Sequence, residues 1–330
     1  LLIRQRWSTS LRRVATVAGM SDYDVAIIGG GAAGLSAALV LSRARRHVLV
    51  VDAGEPRNAP AAHMHGYLSR DGLPPADLIA IGRREVSHYG GQFVHDVATE
   101  LVPDGRNGFW VLLRGGQRLS ARRLLVATGL RDELPDIPGL RDRWAQDVLH
   151  CPYCHGYEVV DRRLGVVGGA SGAVRYAQIV RQWTDKLVYF TPPGRVTDAE
   201  RFELAARGIT LTEGVIAQLV IADDRLHGVQ LDDGCVVPCD AMFVPPRFVP
   251  NNRLLVDLGC AVDPDGWAVT DPAGRTNVSG VWVAGNVADP HAQVITAAGA
   301  GSAAAIAINA DLVAADVRSA VRDFQHGLVP

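Results

Sequence analysis

Lysine is almost absent from this 330-residue chain: Lys186 is the only one, and the rest of its 33 basic residues are arginine. That bias follows from the base composition of a GC-rich genome and carries no functional reading. Net charge is nearly absent too, at −2 with a pI near 6.6, which leaves no electrostatic footprint for nucleic acid or an acidic membrane. Cysteine is scarce, five in all, which excludes a secreted disulfide scaffold. Cys235, Cys239 and Cys260 lie scattered among apolar residues, and the Cys235/Cys239 pair lacks the second half that a zinc site needs, so no metal is expected. No run approaches the ~18 apolar residues needed to span a bilayer, and the expectation is a cytoplasmic protein without membrane contact. Residues 1–19 carry arginines and no acid, like a transit peptide, but lack an initiating Met and a long apolar core. They are read as a disordered extension or a remnant of expression, with Met20 opening the first domain.

What the chain does have is glycine, 35 residues, with 18 prolines and 48% hydrophobic content, which suits a soluble α/β protein with many tight βα turns. Its length favours two domains. The apolar run Asp24-Val25-Ala26-Ile27-Ile28 leads into Gly29-Gly30-Gly31-Ala32-Ala33-Gly34, and Leu35 to Leu41 continues as a helix-compatible stretch. Gly29 permits the tight turn, Gly31 lets the backbone approach a pyrophosphate, and Gly34 lets helix and strand pack closely. A second strand at 47–51 ends in Asp52, eighteen residues past Gly34, where an acid can accept hydrogen bonds from ribose hydroxyls. Leu124-Leu125-Val126-Ala127-Thr128-Gly129 is another buried strand ending in a small-residue turn, and Val281-Trp282-Val283-Ala284-Gly285-Asn286 repeats the design. A helix from about Gln293 and Val294 to Ile308 would aim its N-terminal N–H groups at a negative or electron-rich ligand atom. Residues 58–72 are too irregular for a regular element and read as a loop over the cofactor. His63, His65 and Tyr67 on it are candidate substrate contacts, although solvated loop histidines explain them as well.

Between these parts stands Cys151-Pro152-Tyr153-Cys154-His155-Gly156. Two thiols three positions apart can close a small ring, and the arrangement lowers the pKa of one of them. Downstream, Leu164-Gly165-Val166-Val167 leads into a second glycine turn, Gly168-Gly169-Ala170-Ser171-Gly172-Ala173. Ala170 replaces its middle glycine and crowds the closest pyrophosphate contact. The following strand ends in Thr191-Pro192-Pro193-Gly194-Arg195, offering two prolines and one arginine where a 2′-phosphate site would need more positive charge. A dithiol between two nucleotide-binding turns, the second of them crowded, reads as an electron relay.

With these motifs in hand, the chain resembles the low-molecular-weight thioredoxin reductase family of FAD-dependent pyridine-nucleotide-disulfide oxidoreductases, over about residues 21–308. The resemblance implies an α/β fold with two Rossmann-like, three-layer nucleotide-binding domains, the central one inserted into a discontinuous FAD domain. It places the FAD domain at 20–129 and 248–330 and the central NAD(P)-like domain carrying the CxxC at 130–247. It implies FAD contacts at Gly29, Gly31, Ala32, Ala33, Gly34, Asp52, Ala127, Thr128, Gly129, Gly285, Asn286, Gln293 and Val294. Asn286 stands where the family has an Asp holding the ribityl chain, and its amide can still bond a hydroxyl. Carried over, Cys154 is the flavin-proximal thiol, Cys151 the exchange thiol, and His155 the acid/base in place of the usual Asp. The string CPYCHGYE is similar to the dithiol oxidase branch of gliotoxin- and holomycin-type enzymes, which close disulfides in small natural products. The expected function is therefore an FAD-dependent dithiol oxidase, homodimeric, passing electrons to O2 with release of H2O2, with NAD(P)H use doubtful. The alternatives are an NADPH-dependent thioredoxin or disulfide reductase and a non-catalytic FAD-binding redox sensor. Cys-x-x-Cys-His also matches c-type haem attachment, which is set aside because it would require export and a small domain of its own.

Overall fold

Glycine turns set the rhythm of the chain, as the computed structural model shows for the residues it describes, 22–326. The expected extension at 1–19 lies outside those residues. The chain opens with β1 (Tyr23–Ile28), α1 (Ala32–Arg43), β2 (Val48–Asp52), α2 (Pro75–His88) and β3 (Gln92–His95). A meander follows, β4 (Ala98–Pro103), β5 (Phe109–Leu113) and β6 (Arg118–Val126), and then β7 (Leu130–Glu133). The middle of the chain runs β8 (Val148–Leu149), α3 (Pro152–His155), β9 (Leu164–Val167), α4 (Ala173–Val180), β10 (Leu187–Thr191), α5 (Asp198–Ala206) and β11 (Thr210–Glu213). Three antiparallel strands, β12 (Ile216–Ala222), β13 (Arg225–Leu231) and β14 (Val236–Pro238), precede β15 (Ala241–Phe243) and β16 (Arg247–Pro250). The chain closes with α6 (Arg253–Asp257), β17 (Val281–Val283) and α7 (Val294–Gln325).

The first sheet has seven strands in the order β3-β2-β1-β6-β5-β4, with β17 from the far end of the chain paired to β6. β1 and β2 are buried along nearly their whole length because both faces of the sheet are covered. Val25, Ile27, Val50, Leu125 and Trp282 pack under α1 and α7, while Ile28, Leu49, Val126 and Val283 pack on the other side with the meander and α6. The second sheet is parallel, β11-β10-β9-β15-β8. Its Leu164, Val166, Tyr189 and Phe243 pack against Ala177 of α4 and Leu204 of α5, and the β12–β14 trio covers its opposite face through Leu219, Val229 and Leu231. The architecture is α/β with two three-layer units, as the resemblance to the thioredoxin reductase family implies.

α7 corrects two expectations. It continues to Gln325, well beyond Ile308, and by length and composition it is apolar enough to cross a bilayer, contrary to the reading that no run approaches that length. Alanine and glycine supply that hydropathy, and they let the helix lie directly on α1. A Cβ on Gly301 would stand 2.0 Å from the Ala33 carbonyl oxygen. The distal half is held by charge: Asp311 accepts from Arg123 Nε at 2.6 Å, and Asp316 from Arg46 Nη1 at 2.8 Å and from Arg122.

Candidate active site

Parallel pairing brings four strand ends together. Ile28 is in register with Val51 of β2 and with Val126 of β6, and Val126 is in register with Val283 of β17. The turns that follow, at Gly29, Ala127 and Ala284, therefore converge on one edge of the sheet. Gly29 (φ +107°) can only be glycine, since a Cβ would lie 2.3 Å from the Ala127 carbonyl oxygen. A Cβ on Gly34 would lie 1.9 Å from the Gly29 carbonyl, whereas Gly31 at the N-terminus of α1 faces open space. Gly285 (φ +79°) places its turn against Ala33. The unpaired N–H groups of α1, beginning with Ala32 and Ala33, point into this space, which suits a pyrophosphate.

Asp52 accepts from the Gly30 amide at 3.0 Å and from Arg83 Nη2 at 3.2 Å, and each oxygen keeps a lone pair for a ribose hydroxyl. Arg83 Nε is buried with no partner among the described residues, a polar atom left over for a bound group. No sequence motif singles out Arg83, which reaches the site from α2. Thr128 and Asn251 exchange hydrogen bonds at 2.7 and 2.9 Å, fixing the turn before Gly129 to the returning chain. Asn286 spends its amide N–H groups on the carbonyls of Asp289 and Ala292, leaving its oxygen free to accept. Gln293 does not cap α7 with its side chain, and its Oε1 lies beside Gly66 of the overlying loop, so the N-terminus at Val294 is left for a ligand. This donor set, with its open glycine cradle, fits FAD.

Cys151 caps the short helix α3, Pro152 occupies its first position, and the amides of Cys154 and His155 bond the Cys151 carbonyl at 3.1 and 3.0 Å. Cys151 and Cys154 are joined as a disulfide with Cα atoms 5.2 Å apart. A Cβ on Gly156 would meet the Pro152 carbonyl oxygen at 2.5 Å and the indole of Trp183 at 2.7 Å. The same indole meets Tyr153 edge-on at 5.6 Å. Burial lowers the pKa of His155, Glu158 partly restores it, and His65 lowers it further. His65 reaches this neighbourhood from the loop, its Nε2 3.4 Å from Glu158 and its Nδ1 3.4 Å from Asp71. The other two loop candidates do not join it: His63 is exposed with its ring 6.5 Å from His65, and Tyr67 lines a groove against Leu35 and Leu39 of α1 and Ile81 of α2. Of the remaining thiols, Cys239 is buried on the Ala241 carbonyl and pushed up to about 12, and Cys235 is exposed.

His150, one residue before the dithiol, drew no attention in the sequence. Its ring stacks on Trp144 at 5.8 Å and meets Phe248 edge-on, and its Nε2 accepts from Arg57 Nη2 at 3.3 Å, which leaves its proton on Nδ1. Burial, then the Arg57 charge, pushes it from 6.5 down to about 4, against an opposing pull from Asp132. The unfolded chain protonates His150 first as pH falls, so this stabilisation is complete above about pH 6.5 and is lost as pH approaches 4. The loss is on the order of 2–3 kcal/mol. It should appear as a fall in Tm between pH 7 and 4.5 that is smaller in His150→Phe, and parallel Tm profiles for the two proteins would contradict it.

At the second glycine turn the space under the backbone is filled from within. A Cβ on Gly168 would lie 2.3 Å from the ring of Tyr189, which is 2% exposed, and the Tyr189 hydroxyl stands 3.4 Å from the Gly169 amide. Pro192 Cδ comes within 3.3 Å of the Cβ position on Gly169. Arg195 is the single cation on the exposed segment 192–195.

A family model described as pyridine nucleotide-disulphide oxidoreductase matches residues 23–302. Thioredoxin reductase sirT of Leptosphaeria maculans is 29% identical over 90% of this chain and 96% of its own length. Thioredoxin reductase tcpT of Claviceps purpurea is 31% identical over 80% of this chain and 86% of its own. Among solved structures, that of HlmI superposes with a TM-score of 0.90 at 53% identity, covering 93% of this chain and 98% of that one. An oxidoreductase from Agrobacterium tumefaciens superposes with a TM-score of 0.83 at 39% identity, covering 88% and 98%.

Proposed function

The chain belongs to the pyridine nucleotide-disulphide oxidoreductase family, and from that premise we propose that it is an FAD-dependent dithiol oxidase. Its substrate is a small-molecule dithiol, its final acceptor oxygen, and Cys151 and Cys154 are the relay between them. The observation that carries the reading is a closed cysteine pair beside a half-buried His155, set against a second glycine turn backed by Tyr189 and Pro192.

In this reading Gly29, Gly31, Ala32, Ala33 and Gly34 hold the pyrophosphate of FAD, Asp52 the ribose, Ala127, Thr128 and Gly129 the floor of the cradle, and Gly285, Asn286, Gln293 and Val294 the flavin end. The units proceed as 20–129 with 248–330 for FAD and 130–247 for the dithiol, and two copies form a dimer. A substrate thiolate attacks Cys151 Sγ, the Cys151–Cys154 bond breaks, and Cys154 leaves as thiolate. His155 takes the proton from the second substrate thiol, whose sulfur displaces Cys151 and closes the product disulfide. Held in the cradle, FAD would supply the two-electron chemistry that reoxidises the Cys151 and Cys154 thiols to their disulfide at the expense of oxygen. In sum, one dithiol and one O2 give one disulfide and one H2O2.

A second reading, an NADPH-dependent disulfide reductase, is favoured by the names of the fungal relatives and runs the same relay in reverse. An anaerobic titration followed at the flavin band near ~450 nm separates them. Bleaching by dithiothreitol, with colour and peroxide returning on admission of air, is the expected outcome. Rapid bleaching by one equivalent of NADPH would overturn the oxidase and establish the reductase.

A further inference from the structure

The chain passes between the seven-stranded and the five-stranded sheets twice, and both passages lie in one antiparallel ribbon, β7 against β16. An isolated two-stranded ribbon is marginally stable and twists readily, so something must fix the dithiol unit relative to the flavin cradle. One guanidinium touches every part involved. Arg57, on the loop that follows β2, donates from Nε and Nη2 to both oxygens of Asp132 at 2.8 and 2.7 Å. The same group lies 5.1 Å over the ring of Phe248, and Asp132 and Phe248 are register partners on the two strands. Arg57 thus grips both strands of the ribbon at one level. Its Nη2 also reaches His150 Nε2, one residue before Cys151. Phe248 in turn meets His291 edge-on at 6.1 Å, next to the flavin end of the cradle.

We propose that Arg57 is a positioning residue for the dithiol relay: it clamps the β7–β16 ribbon and His150, and so sets the orientation in which the Cys151–Cys154 turn faces the flavin cradle. The inference rests on the dithiol-relay reading above. The geometry asks for arginine in particular. A planar fork satisfies a carboxylate with two parallel N–H bonds while its face lies on an aromatic ring, and the second hydrogen on Nη2 serves the neutral imidazole. An ammonium group cannot make all three contacts. The loop has a second hold on the same unit where His65 meets Glu158, just past the dithiol, so the flavin-side loop spans the dithiol turn from both sides. Asp132 is 11% exposed and Arg57 24%, which keeps the pair from being a solvated surface bridge.

The test uses the full-length flavoprotein with Arg57→Lys and Arg57→Gln, and reads three quantities. Amide hydrogen exchange at residues 130–133 and 247–249 reports the ribbon directly. Anaerobic dithiothreitol then reports two rates: opening of the Cys151–Cys154 bond, by mass after alkylation, and bleaching of the flavin. In both variants ribbon exchange should rise about tenfold, disulfide opening should stay within about threefold of wild type, and flavin bleaching should slow about 10–100-fold, as a misplacement near 1 Å would cause. Arg57→Lys, which keeps the charge, should fail to rescue the bleaching rate. Unchanged ribbon exchange in both variants would overturn the clamp. Faster ribbon exchange with wild-type bleaching would overturn the positioning role and leave a structural ion pair. If the wild-type flavin is not bleached by dithiol at all, the relay reading fails and the positioning role with it, and ribbon exchange alone then shows whether Arg57 holds the ribbon.

Discussion

Cys154→Ser is expected to abolish dithiol turnover, by roughly 10⁴-fold or more as for the loss of a covalent nucleophile, while the purified protein stays yellow. A hydroxyl cannot form the bond that Cys151 and Cys154 share, so the enzyme has no oxidised pair for a substrate thiolate to attack. No other thiol can stand in. Cys239 is buried with its proton held up to about 12, Cys260 is buried, and Cys235 sits on the turn between β13 and β14. The flavin cradle is untouched by the change, because its glycine turns and Asp52 belong to the other sheet. Oxygen uptake with dithiothreitol and the absorbance ratio of flavin to protein check the two halves separately. Wild-type uptake by Cys154→Ser would sink the relay, and a colourless protein would mean that the dithiol turn supports the cradle itself.

The α/β fold and the family were legible because they are written in local patterns. A buried strand, a glycine turn and a small-residue helix recur at Ile28–Gly34, and the likeness of the 124–129 and 281–286 segments is realised as neighbouring strands in register, Val126 against Val283. What the sequence hid was long-range. α7 runs past its apolar stretch because Arg46, Arg122 and Arg123, some 190 to 270 residues earlier, hold Asp316 and Asp311. Arg57, Asp132 and His150 meet across 75 and 93 residues with no periodicity to announce them. Arg83 comes from the middle of an ordinary amphipathic helix. The loop histidines show the limit of spacing arguments: His63 and His65 stand two residues apart, but hydrogen bonds from Gly66 and His65 to Asp71 turn the loop, and His65 alone reaches Glu158. The Tyr189 ring beneath Gly168 is of the same kind. Strand β10 reads as an ordinary buried strand until its packing is seen.

His155→Asn should slow substrate exchange with the disulfide by about 10²–10³-fold at pH 7, the usual worth of a general base. Asparagine preserves shape and one hydrogen bond but cannot carry a proton. Burial holds the imidazole below its ordinary 6.5, so at neutral pH it is free base and able to accept from a substrate thiol. The base form of the imidazole is therefore in place at neutral pH, and the His155 contribution to wild-type activity should be lost only as pH drops below 6.5, where the imidazole becomes protonated. The deficit of His155→Asn should shrink as pH approaches ~8.5, because the thiol then ionises without help. A deficit constant from pH 6 to 9.5 would contradict the proton-transfer role. Glu158→Gln gives an independent check of sign. Glu158 raises the His155 pKa against burial and His65, so its neutralisation should move the acid limb to lower pH, whereas a limb that moves upward would show that some other group sets it.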